Sequence, residues 1–169
     1  ASSTATAISK VRTNIDNGEA TVELNLIQGV AYDIVFWAQK SESYVKSDSE
    51  LITIDVNKDF DNSEDGAVFY AYKENFVPNG KSNTVTLTRP FAKVRVVADD
   101  VEEAKEALQK DHLTTAKVTY KNDVVVYNTF NARTQTVSVT GEVSKEKTFS
   151  YTSAYDESNL YVDYLLVPQ

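Results

Sequence analysis

Apolar and polar residues alternate with a period of two over much of this chain. In residues 20–26, for example, Val22, Leu24 and Leu26 alternate with threonine, glutamate and asparagine. This period places apolar side chains on one face of an extended chain, which predicts half-solvated strands of antiparallel sheets. Segments with the same alternation are residues 20–26, 50–56, 83–89, 134–140 and 147–153.

Two further segments carry apolar residues on both faces. Residues 30–39 place Tyr32, Ile34 and Phe36 on one face, with Val35 and Trp37 on the other. Residues 160–168 show the same pattern around their tyrosines, valines and leucines. A strand that is apolar on both sides is typical of a central position with packing on each face. We therefore expect Trp37 to belong to the core, and the alternative is that it stacks on a sugar.

One segment has the features of a helix. Residues 99–111 contain no β-branched residue after Val101, and Asp100 precedes Glu103 by three positions, as in a capping box. Val101, Ala104 and Leu108 form a narrow apolar stripe at helical spacing. The sequence predicts one short helix, at about residues 100–110, that covers part of a sheet.

Turn residues separate these segments at short intervals, as at Asn79-Gly80 and Asn122-Asp123. A chain of 169 residues is long enough for one domain with a sizeable core. We find no internal repeat and no low-complexity linker. The expected fold class is therefore all-β, a sandwich of about seven or more strands, with residues 1–169 as one domain.

Composition narrows the range of functions. The net charge is −8, and basic residues do not cluster, which argues against binding to nucleic acid. The chain has no cysteine, which excludes disulfides, thiolate metal sites and cysteine nucleophiles. It contains no apolar run of membrane-spanning length and no signal-peptide pattern. Because methionine is also absent, we expect a processed or trimmed chain that begins at Ala1.

Two places invite a catalytic or metal-binding interpretation. His112 is the only histidine, but the chain has no nucleophile motif to accompany it, so a solvated position after the helix is the better interpretation. Asp59, Asp61, Ser63 and Asp65 alternate like the first ligands of a calcium loop, yet Gly66 comes two positions late and Tyr70 replaces the bidentate glutamate. We predict a solvated turn there, no metal or cofactor, no catalytic residues and no enzymatic activity, with a calcium-stabilised module as the alternative.

The stretch Thr88–Val94 contains an arginine beside a proline. Proline lacks a backbone donor, so Pro90 suits the first residue of a strand or a sheet edge. We expect Phe91 to enter the core and Arg89 to end the preceding strand. Arg89 is then a poor protease target, whereas Arg12, near the N-terminus, is more accessible.

Four motifs occur in an order that resembles the fimbrillin-like proteins of Bacteroidales, in the branch with FWA and RPFA signatures. They lie within residues 14–39, 85–96, 126–137 and 161–168, so the resemblance extends from about Asn14 to Val167. It implies a transthyretin-like Greek-key β-sandwich, the N-terminal domain of a pilus subunit or a related surface lipoprotein. It also implies an additional strand region before Ala1, a second domain after Gln169 and a lipid anchor on the precursor in the outer membrane.

In such families, subunits assemble when a β-strand from one copy fills the groove of the next. The sequence thus predicts a non-enzymatic pilus or adhesin subunit at the cell surface, in the extracellular fimbrium. Its expected partners are other pilus subunits and a surface receptor or glycan. Leu160–Val167 is expected to act as a donor strand or to line the groove. The alternative is a surface glycan-binding β-sandwich lipoprotein.

Overall fold

The computed structural model of the chain describes residues 7–40, 45–46, 51–54, 66–109, 114–151 and 159–168. These residues are mostly β, with one short helix. The strands and the helix are β1 (Tyr32–Gln39), β2 (Val45–Lys46), β3 (Leu51–Ile54), β4 (Val68–Phe76), β5 (Phe91–Val97), α1 (Val101–Leu108), β6 (Thr115–Thr119), β7 (Thr129–Asn131), β8 (Thr136–Ser138), β9 (Glu146–Ser150) and β10 (Asn159–Leu166). The all-β prediction is confirmed at this level.

The described strands form several small antiparallel sheets. β1 pairs with β4, β5 with β10, and β6 with β9, while β2, β3, β7 and β8 form a four-stranded sheet in that order. Two isolated bridges extend this pairing. Thr88 bridges Tyr70 of β4, and Tyr127 bridges Leu166 of β10.

The main core lies where three of these sheets meet. Phe130 of β7 is fully buried, and its ring meets the ring of Tyr70 of β4 edge-on, with centroids 4.6 Å apart. The remaining buried members of this cluster are Ile52, Val68, Phe91, Val126, Ala132, Val162, Tyr164 and Leu166. Strands that are far apart in sequence therefore share one apolar core.

β10 is buried on both faces, as its sequence predicts. Val162, Tyr164 and Leu166 face the core cluster, and Tyr161 and Asp163, at alternate positions, are also buried. The same prediction is wrong for β1, where Ala38 is buried but Val35 is 38% exposed. The face of β1 that carries Tyr32, Ile34, Phe36 and Ala38 is half-buried or buried, whereas the opposite face is exposed at Asp33 and Val35.

Two predicted strands are not strands in the structure. Residues 20–27 form no strand, and residues 82–87 form none before the bridge at Thr88. The alternation of burial follows the sequence in part, because Val22, Leu26, Val85 and Leu87 are half-buried, whereas Leu24, also predicted to face inward, is 36% exposed. The period-two pattern thus predicted most of the inward side chains but could not supply a hydrogen-bonding partner for the backbone.

The helix forms where predicted but starts without the expected cap. Asp100 occupies the N-cap position, and its side chain makes no capping hydrogen bond. Val101 is buried, whereas Leu108 is 62% exposed, so the predicted apolar stripe covers the core only at its first turn. The helix ends at Gln109, which adopts a left-handed conformation with φ of 52°. In the described ranges, no helix has the length and apolar character needed to cross a membrane.

Candidate functional site

A charged residue lies in the middle of the most deeply buried strand. Asp163 of β10 is 0% exposed, although its neighbours in sequence are apolar or aromatic. The period of two places it on the opposite face from Val162 and Tyr164, toward the β6–β9 sheet. A carboxylate in such a position must be hydrogen-bonded or paired, because burying an isolated charge is very unfavourable.

Three side chains converge on one oxygen of that carboxylate. Lys147 of β9 places Nζ 2.6 Å from Asp163 Oδ2, and both side chains are almost fully buried. The hydroxyl of Tyr120, just after β6, donates to the same oxygen at 2.7 Å, and that of Tyr161 donates at 2.5 Å. The two hydroxyl oxygens are 2.8 Å apart. We call Tyr120, Lys147, Tyr161 and Asp163 the buried cluster.

The second carboxylate oxygen is also held. The backbone N–H of Tyr164 donates to Asp163 Oδ1 at 2.8 Å. Both oxygens therefore have fixed donors, and the orientation of the carboxyl group is determined. Since Lys147 and Tyr120 belong to the β6–β9 side and Asp163 and Tyr161 to β10, the cluster joins two sheets that do not pair through their backbones.

Burial dominates the electrostatics of the cluster. It lowers the pKa of Lys147, and the neighbouring Asp163 opposes that shift only in part. Burial likewise raises the pKa of Tyr120 and of Tyr161, and the hydrogen bond to Asp163 raises both further. The hydroxyls thus remain protonated donors at neutral pH, and the amine of Lys147 is more readily deprotonated than that of an exposed lysine.

A second feature is the exposed apolar N-terminal segment, residues 7–31. Apart from an isolated bridge between Asp16 and Glu19, it forms no strand pairing among the described residues. Ile8 is 86% exposed and Ile27 is 70% exposed, and Val11, Ile15 and Val30 are also exposed. These apolar side chains recur along the segment and are available for association with another apolar surface.

A third feature is that β5 is an edge strand among the described strands, to which an extended segment could add. In the described part of the chain β5 pairs with β10 on one side and with no strand on the other. Val96 is 44% exposed and Val97 is 58% exposed. An edge strand with exposed apolar residues is a template to which another strand can add.

The residues around Arg89 lie partly as the sequence predicts, since Phe91 and Pro90 do but the strand that Arg89 was expected to end is reduced to a bridge at Thr88. Phe91 is buried in the core cluster, and Pro90, directly before β5, is also buried. Thr88 is fixed by its bridge to Tyr70, while the guanidinium of Arg89 lies 4.9 Å from the ring centroid of Phe69. Arg89 is thus held at a junction between two paired segments.

Trp37 is packed partly against the core cluster, and its indole N–H donates to Gln39 Oε1 at 2.7 Å. His112 and the acidic loop Asp59–Asp65 lie outside the described residues. Within the described ranges, no group of three or more histidine, aspartate or glutamate residues is arranged to hold a metal ion.

The sequence reasoning missed the buried cluster. Asp163 itself could have been identified, since a charged residue inside a strand that is apolar on both faces requires a partner. Its partner could not, because Lys147 lies in an ordinary alternating strand and is one of 17 lysines and arginines. The two tyrosines are similarly indistinct among ten.

Comparison with protein families gives a match over nearly the whole chain. A family model described as "Family of unknown function (DUF6562)" matches residues 2–169. No curated protein and no solved structure matches the chain.

Proposed function

The chain belongs to the DUF6562 family, whose function is unknown, and we propose that it is a non-enzymatic subunit of a surface pilus or adhesin that assembles by β-strand exchange. The observation that carries this proposal is the combination of the exposed apolar N-terminal segment with the edge of β5 that pairs with no described strand. The order of the fimbrillin-like motifs supports it. We further propose that the sheets form a transthyretin-like Greek-key sandwich.

The N-terminal segment is suited to act as the donor strand. Its residues 20–26 alternate between apolar and polar positions, but their backbone has no strand partner among the described residues. Addition to a sheet edge would satisfy those backbone groups, and the alternating side chains would give the contact its specificity. β10 is less suited to this role, because it is already paired with β5 and buried on both faces.

The edge of β5 is suited to act as the acceptor. Its exposed valines would be covered by an added strand, which gains free energy by removing apolar surface from water. Lysine at such an edge is one of the devices by which proteins prevent strand addition. β5 already carries Lys93 and Arg95, so its apolar end, at Val96 and Val97, is where a strand could add. Val96→Lys should therefore block assembly there without disturbing the core.

Sedimentation velocity over a range of concentrations tests the proposal, with and without proteolytic trimming of the N-terminal region. We expect the wild-type chain to form larger species as its concentration rises and the Val96→Lys chain to remain monomeric. Leu108→Lys is the matched control, because it places the same charge at an exposed apolar position on the helix. A wild-type chain that stays monomeric in every processed form contradicts the proposal.

The structure offers less support for the glycan-binding alternative. A sugar platform requires an exposed aromatic face. Trp37 is half-buried and packed against the core cluster, with its indole N–H already bonded to Gln39. The subunit function is therefore the one that we propose.

A further inference from the structure

Lys147 and Asp163 form a short, buried pair between β9 and β10. Nζ lies 2.6 Å from Oδ2. Because Oδ2 is bonded to the carboxyl carbon Cγ, the amine also lies near Cγ. The side chain of Lys147 is 6% exposed and that of Asp163 is 0% exposed. An amine and a carboxyl group are thus held in contact, in a place from which bulk water is excluded.

We propose that Lys147 and Asp163 condense to form an isopeptide bond between β9 and β10. In this reaction the Nζ–Cγ bond forms, the Cγ–Oδ2 bond breaks, and one water molecule leaves. The ammonium and the carboxylate together supply every atom of the amide and of the water: two protons pass from nitrogen to Oδ2. No oxidant, reductant or other reactant is needed.

The groups around the pair favour this step. Oδ2, the oxygen that would leave, accepts hydrogen bonds from Tyr120 and Tyr161, and these donors stabilise charge that develops on it. Lys147 Nζ is in direct contact with Oδ2, so its protons can pass to the leaving oxygen without an intermediary. Oδ1, which would remain as the amide oxygen, is already held by the N–H of Tyr164.

Burial also prepares the nucleophile. Only the neutral amine attacks a carboxyl carbon, and desolvation lowers the pKa of Lys147. Two groups held in contact react far faster than the same groups free in solution, because the entropy of bringing them together has already been lost on folding. The product is neutral, so the reaction also removes two charges from the protein interior.

The bond would join two sheets that do not share a backbone ladder. It would close a loop between positions 147 and 163, which lowers the conformational entropy of the unfolded chain, as a disulfide does. Because the chain has no cysteine, a disulfide cannot provide such a cross-link. This inference does not depend on the proposed subunit function.

Intact-mass spectrometry of the purified, folded full chain tests the inference. We expect the wild-type mass to be lower than the mass of the sequence by one water molecule. After tryptic digestion, fragment spectra should show a branched peptide that links Lys147 to Asp163, with no cleavage after Lys147. A wild-type mass equal to that of the sequence, after prolonged incubation of the folded chain, overturns the inference.

A control is needed because other residues can also lose water. Asp65 is followed by Gly66, a pair that can form a cyclic imide with the same mass change. The matched variant is Lys147→Arg, which keeps a positive charge near Asp163 but cannot form this amide under the same conditions. We expect it to have the full sequence mass. A water loss that persists in this variant, or that maps to Asp65, also overturns the inference.

Discussion

Replacing Asp163 with leucine should destabilise the fold more than most single changes. Asp163 Oδ2 accepts from Lys147, Tyr120 and Tyr161, so the substitution leaves one ammonium and two hydroxyls buried without their acceptor. Breaking a buried ion pair by removing one partner typically costs about 3–5 kcal/mol. Since small domains are stable by only about 5–15 kcal/mol, the loss should be large but should leave a folded protein.

Urea unfolding followed by circular dichroism measures this effect. We expect the urea midpoint of Asp163→Leu to fall with little change in the slope m, because the folded surface is similar. The exposed pair formed by Lys117 and Glu146, 2.9 Å apart, provides a control beside the cluster. Glu146→Gln should change the free energy of unfolding by less than about 1 kcal/mol, as is usual for exposed ion pairs.

A double-mutant cycle separates the pair from its surroundings. The double variant Lys147→Met with Asp163→Leu replaces both charges with apolar side chains, so it should lose much less stability than the two single variants lose in sum. The same coupling is expected whether the pair is ionic or covalent, because either single change removes the link. Additive losses, or a loss below about 1 kcal/mol for Asp163→Leu, would refute it.

The remaining predictions concern the core and the response to alkali. Phe130→Ala should lower the free energy of unfolding by about 3–5 kcal/mol, since Phe130 is 0% exposed, whereas Val97→Ala at the exposed edge should change little; chemical denaturation of both variants checks this. Stability should fall as the pH rises above about 10, where unfolded tyrosines ionise but Tyr120 and Tyr161, with raised pKa values, keep their protons. The lowered pKa of Lys147 makes stability rise with pH instead. That rise ends at about pH 10.4, where the lysine of the unfolded chain has also lost its proton. Tyr161→Phe should make the free energy of unfolding fall less steeply with pH. Unfolding curves measured from about pH 9 to about pH 11, around the ordinary tyrosine pKa, check this, and an unchanged pH dependence would contradict the assignment.

The sequence predicts side-chain orientation better than backbone pairing. The alternating pattern places β3, β8 and β9 correctly, and it predicts the inward positions Val85 and Leu87 even where no strand forms. Whether an extended segment becomes a strand depends on a partner that is distant in sequence. Periodicity contains no information about that partner.

Local sequence patterns predict the candidate site even less well than they predict strand pairing. Asp163 is conspicuous in its strand, but the cluster exists because β9 and the residue after β6 lie against the opposite face of β10. Lys147 is 16 positions from Asp163 in sequence and Tyr120 is 43 positions from it. The described strands that carry them belong to sheets that share no hydrogen-bond ladder. Local patterns could therefore indicate a need for a partner but could not identify Lys147 or Tyr120.

Assembly by strand exchange can be tested by cysteine cross-linking, because the chain contains no cysteine of its own. Chains with the single change Leu24→Cys would be mixed with chains that carry Val96→Cys or Val97→Cys and then oxidised mildly. Two cysteines form a disulfide only when their Cα atoms come within about 7 Å. Strand exchange should give a disulfide-linked dimer in one of these mixtures, in higher yield than in either chain alone. Mixtures that yield no more dimer than the single chains, at concentrations where the wild type assembles, would contradict the claim.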